Sequence, residues 1–124
     1  MDAGAAFNLH GGALKAIGTA QAPIVFRGEQ DTRGHWDGLD FFYSRSDNNV
    51  LRHVEVRGGG QSGANVHVGH GSSLRISDSR LVNSSGYGVC LDYLDFGNAL
   101  STLEIGAGMS YANNAGPNES GTCD

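Results

Sequence analysis

Apolar and polar residues alternate along this chain in short runs, as in Leu39-Asp40-Phe41 and Leu74-Arg75-Ile76. A period of two marks a strand with one face buried and the other in water. Between the runs lie clusters of turn formers such as Asp47-Asn48-Asn49, Gly58-Gly59-Gly60 and Asn83-Ser84-Ser85-Gly86. Strands this short do not suit a sandwich, but they fit the sides of a coil. No amphipathic segment suggests a capping helix.

The runs repeat. Gly38-Leu39-Asp40-Phe41 is followed 25 residues later by Gly63-Ala64-Asn65-Val66, and after 25 more by Gly88-Val89-Cys90-Leu91. The same shift carries Phe26 to Leu51 to Ile76, and Val56 to Leu81. Two segments holding one register without a gap predict an all-β, right-handed parallel β-helix of about four coils, with strands about 4.8 Å apart and side chains stacked in columns. An antiparallel Greek-key sandwich would not explain a constant shift. The predicted inward columns are Leu39/Ala64/Val89, Phe41/Val66/Leu91 and Phe26/Leu51/Ile76. Gly38, Gly63 and Gly88 suit corners of positive φ or close backbone approach.

Composition agrees with a turn-rich β protein. Glycine takes 20 of 124 positions, and Gly, Ser and Asn all weaken helix interiors. A hydrophobic fraction of 39% argues against disorder. The net charge of −5 and the scarcity of lysine disfavour nucleic acid, whose phosphates need clustered cations. No stretch approaches a membrane span of roughly 18 apolar residues, and no secretory signal follows Met1. Cys90 and Cys123 permit one disulfide without requiring it.

The stretches Gly12-Ala13-Leu14-Lys15-Ala16-Ile17-Gly18-Thr19, Pro23-Ile24-Val25-Phe26-Arg27-Gly28 and Gly34-His35-Trp36-Asp37-Gly38-Leu39 resemble the repeats of bacterial secreted or surface-anchored β-helix proteins of the pectin-lyase-like superfamily. Residues 74–89 are similar to the coil found throughout it. The resemblance covers roughly residues 4–112 and implies a fold and an extracellular or cell-surface location; its motifs are those of stacking rather than chemistry. The expected organisation is a β-helix over residues 1–112 and a loose polar tail over 113–124. Glu29 to His35 is expected to form an extruded loop and Asp92 to Leu100 a longer excursion.

The face carrying Gly38, Gly63 and Gly88 is the expected functional surface. Its outward columns are Asp40/Asn65/Cys90 and Phe42/His67/Asp92, with Asp37, Ser62 and Tyr87 just before them. Aromatic faces for sugar rings and polar groups for hydroxyls make Asp37, Asp40, Phe42, Asn65, His67, Tyr87 and Asp92 the candidate carbohydrate-binding set. The expected function is a non-catalytic structural or carbohydrate-binding segment, with a polysaccharide lyase or glycoside hydrolase as the alternative. For a lyase the resemblance implies a carboxylate cluster for Ca²⁺, which Asp37, Asp40, Asp92 and Asp95 could supply, and a cation such as Arg52 or Arg57 as base. The predicted register puts Asp40 and Asp92 two rungs apart, roughly 10 Å, which is too far for one ion. No cofactor is expected outside that alternative. His53, His67 and His70 are the nearest approach to a metal cluster, but His67 and His70 point to opposite faces unless the turn at Gly69 redirects one. A nucleophilic role for Cys90 lacks a base, because the predicted register places His67 in the adjoining column. Two uncapped end rungs, near Phe7 and Leu9 and near Leu103 and Ile105, predict end-to-end stacking with another copy or with the rest of a longer parent chain.

Overall fold

Segments of two to six residues become strands only if neighbours complete their backbone hydrogen bonds, and here each finds its partner one coil away. The computed structural model describes residues 1–61, 63–69, 71–92 and 101–123. Its first coil contains β1 (Ala6–His10), β2 (Lys15–Ile17) and β3 (Ile24–Arg27). The second contains β4 (Gly38–Phe42), β5 (Val50–Arg52) and β6 (Val54–Arg57), and the third β7 (Ala64–Gly69), β8 (Ser73–Ser77) and β9 (Arg80–Val82). A fourth holds β10 (Tyr87–Leu91), β11 (Thr102–Ile105) and β12 (Ser110–Ala112), and β13 (Glu119–Ser120) begins a fifth turn.

The first sheet has the order β1-β4-β7-β10-β13, the second β2-β5-β8-β11 and the third β3-β6-β9-β12. Among the described residues all ten strand pairings are parallel. The fold is a parallel β-solenoid of about four turns, without helix among the described residues. Consequently none of these residues belongs to a helix long and apolar enough to cross a membrane.

Inward side chains stack into continuous columns. Phe7, Leu39, Val66 and Val89 form one, and Leu9, Phe41, Val68 and Leu91 the next. Ala16, Leu51, Ile76 and Ile105 line the second wall, and Phe26, Val56, Leu81 and Tyr111 the third. The middle rungs are fully buried, whereas Phe7, Phe26, Ile105 and Tyr111 at the ends are only partly so.

The constant shift of 25 holds in the second and third sheets, from Leu51 to Ile76 and from Val56 to Leu81. It fails in the first. There Leu39 pairs with Val66, 27 residues on, and Val66 with Val89, 23 residues on. The expected columns Leu39/Ala64/Val89 and Phe41/Val66/Leu91 are therefore corrected by two residues at β7. The glycine-rich turn before β7 is two residues longer than the turn before β10, and the connection after β7 is correspondingly shorter than the one after β4. Phe26 also changes column, because Gly18 to Pro23 lengthens the first coil and delivers β3 to the third sheet beside Val56.

Corners are made by residues in the left-handed region. After the third sheet these are Gly58, Asn83 and Asn113, with φ of 75°, 59° and 56°. After the second sheet they are His53 and Asp78, with φ of 51° and 48°. Gly, Asn, Asp and His are the types that adopt this conformation most readily.

Residues 29–35 do not extrude as expected but lie along the corner that follows the third sheet. Asp31 meets Arg57 (2.9 Å) and accepts from the Asn83 side chain (3.2 Å), and Arg33 Nε donates to the Asn113 carbonyl (2.8 Å). This strap spans three successive coils, and beneath it Trp36 is fully buried with Nε1 donating to the Arg57 carbonyl. Residues 113–123 are likewise tied to the stack rather than loose: β13 pairs with β10, and Asn114 bonds the Ser84 amide and the Leu81 carbonyl.

Candidate functional site

Moving β7 by two residues rearranges the outer face of the first sheet. Asn8, Asp40, His67, Cys90 and Ser120 now form one outward column, each on the neighbouring strand at about 4.8 Å. His67 thus stands between Asp40 and Cys90, where Asn65 was expected. The reading that no register brings a histidine beside Cys90 is overturned by the same slip. Cys90 is nevertheless not a free nucleophile, since it is disulfide-bonded to Cys123 with the two Cα atoms 5.1 Å apart.

Asn65 serves the fold. Its Oδ1 accepts from the Gly59 amide (2.9 Å), and its Nδ2 donates to the carbonyls of Val82 (2.9 Å) and Val56 (3.3 Å). The side chain is fully buried and offers nothing to a ligand. Tyr87 opens β10 opposite Ala64 and lies against Gly116.

Asp40 is only 6% exposed, and its carboxyl is hydrogen-bonded to that of Asp37. Burial comes first among the causes, followed by the bond and the negative charge of Asp37, and together they push Asp40 up to about 8. At neutral pH Asp40 therefore keeps its proton. Asp40 on β4 and Asp92, just past β10, are two rungs apart, as the sequence implied. Asp92 follows β10, its amide donating to the Val68 carbonyl (2.8 Å).

Aromatic rings gather at the far end of this sheet. The His67 ring turns into the space over Gly69, where a Cβ would stand 2.7 Å from its Cε1, and stacks at a tilt on Phe42 with centroids 5.4 Å apart. His10, paired with Phe42 across β1 and β4, meets Tyr43 edge to face at 5.5 Å. Tyr43 was not among the expected site residues, and it is 56% exposed with φ of 53°. Among the described residues the other non-glycine positions of positive φ are one His, one Asp and two Asn, all tolerant types. A bulky tyrosine there is an outlier that costs of order 1 kcal/mol or more. In the preceding coil the residue that follows β1 is Gly11, with φ of 82°.

Other expected groups are not brought together. His53 sits at the bend between the second and third sheets, away from His67. Ser62, His70, Asp95 and most of the Asp92 to Leu100 excursion lie outside the described residues. Arg57 is committed to Asp31 and Glu55, and Arg52 to Asp78. A groove of about 430 Å³ on the second sheet runs past Asp47, Arg75, Thr102 and Glu104, with no aromatic ring in its walls. In comparisons with known proteins, no family model, no curated protein and no solved structure matches the chain.

Proposed function

We propose that the chain is a non-catalytic, glycan-binding structural segment of an extracellular or cell-surface protein of the pectin-lyase-like kind. The observation that carries the reading is Tyr43, held exposed in a conformation that glycine would occupy without strain. Strain retained at an exposed aromatic is accounted for if the ring has a use outside the fold. Beside it, His10, Phe42 and His67 offer further ring faces, and Asp92 a polar group for hydroxyls. A disulfide between Cys90 and Cys123 supports an oxidising, extracellular setting. Tyr43→Ala should abolish retention on whichever acidic or neutral polysaccharide the wild-type chain binds in affinity electrophoresis; equal retention of both proteins would refute the reading.

A second reading, a polysaccharide-active enzyme, is favoured by one observation. A carboxyl protonated at neutral pH, as Asp40 is, is what a general acid requires. Release of reducing or unsaturated ends, with or without Ca²⁺, that disappears in Asp40→Asn would establish this reading in place of the first.

A further inference from the structure

We propose that reduction of the Cys90–Cys123 disulfide converts it, with His67, into a Cys₂His site for Zn²⁺. One ligand atom from each of the three residues lies within 4.8 Å of the others. They reach that point from separate elements: His67 from β7, Cys90 from the adjacent β10, and Cys123 from the tail beyond β13. Bound to one tetrahedral ion at about 2.3 Å each, two sulfurs stand roughly 3.8 Å apart, a separation that thiols reach once the bond is cut. Thiolate sulfur with imidazole selects zinc over the hard cations that carboxylates prefer.

The surroundings suit an ion. Cys90 is fully buried, whereas His67 and Cys123 are only partly buried and leave the site an edge at which an ion can enter and water can fill the fourth position. Asp40 neighbours His67 in the same column, where a carboxyl can orient a ligating imidazole. The balance is simple. A dithiol reductant gives two hydrogens to the sulfurs and leaves as its own disulfide; Zn²⁺ then displaces the two thiol protons to solvent. In either state the tail stays fastened to the fourth coil, by a covalent bond under oxidising conditions and by the ion under reducing ones.

Cobalt titration of the full chain, with Co²⁺ as the spectroscopic probe for Zn²⁺, tests this after reduction with a water-soluble phosphine. The expected result is one equivalent of Co²⁺ with thiolate-to-metal absorption in the reduced chain, none in the oxidised chain, and at least tenfold weaker binding in reduced His67→Gln. His67→Gln keeps its disulfide, so its fold is checked in the oxidised form. If reduction alone unfolds the chain, Zn²⁺ must restore its β-type circular dichroism, because binding and folding are then coupled. Absence of thiolate absorption in the reduced protein, equal binding by the oxidised form, indifference to His67→Gln, or failure of Zn²⁺ to refold an unfolded reduced chain would each overturn the proposal.

Discussion

A carboxyl group buried beside another carboxyl keeps its proton, and Asp40 beside Asp37 is in that position. Its folded value, about 8, lies above the ordinary 3.8, so between those limits the folded state binds more protons than the unfolded one. The sign follows: this contribution is fully present below about pH 4 and is lost as the pH rises through about 8. Urea midpoints measured from pH 4 to 9 should therefore decline with pH in the wild type and decline less steeply in Asp40→Asn, which keeps a neutral polar group in place. Identical slopes would mean that Asp40 is ionised in the folded protein. Little of this was legible in the sequence. An acid at an outward strand position reads as a solvated group, and its burial becomes visible only in three dimensions. Tyr43 was hidden for a similar reason, since a backbone angle leaves no mark on the alternation of apolar residues.

Strands and turns were the more legible scale, but unevenly so. Leu51/Ile76 and Val56/Leu81 share the 25-residue shift because the bends at His53 and Asp78 have equal lengths and the longer turn before β7 is offset by the shorter connection after it. The first sheet departs from it by two residues, and a slip of two leaves every side chain on its original face. Hydrophobic alternation is blind to such a slip; a slip of one would have put Val66 and Val68 outside. What fixes β7 is the turn before it, where Asn65 links the Gly59 amide to carbonyls of β6 and β9. Asn65→Ala would strand buried polar groups on two coils at once, and should lower stability by about 2–3 kcal/mol in urea unfolding. A loss below about 0.5 kcal/mol would show that the glycine turn holds its register without the side chain. The strap at residues 29–35 was misread because charged loop residues usually face water. Asp31 and Arg33 find partners on other coils that the sequence gives no means of assigning.

For the whole molecule, the stack ends in sheet edges on both sides: β1, β2 and β3 at one end, and β11, β12 and β13 at the other. Edge strands present unpaired backbone groups, and partly buried Phe26, Ile105 and Tyr111 lie close behind them. Sedimentation at micromolar concentration should therefore show self-association; a strict monomer under both oxidising and reducing conditions would rule out end-to-end pairing. The central functional claim is that strain is kept at Tyr43 because its ring is used. Tyr43→Gly separates the two consequences, because glycine relieves the left-handed strain while removing the ring. Thermal melting and glycan binding measured on the same Tyr43→Gly preparation should give a stability gain of about 0.5–1 kcal/mol, a rise of about 2–4 °C, together with loss of binding. A variant that melts lower than wild type, or that binds the same glycan with unchanged affinity, would contradict it.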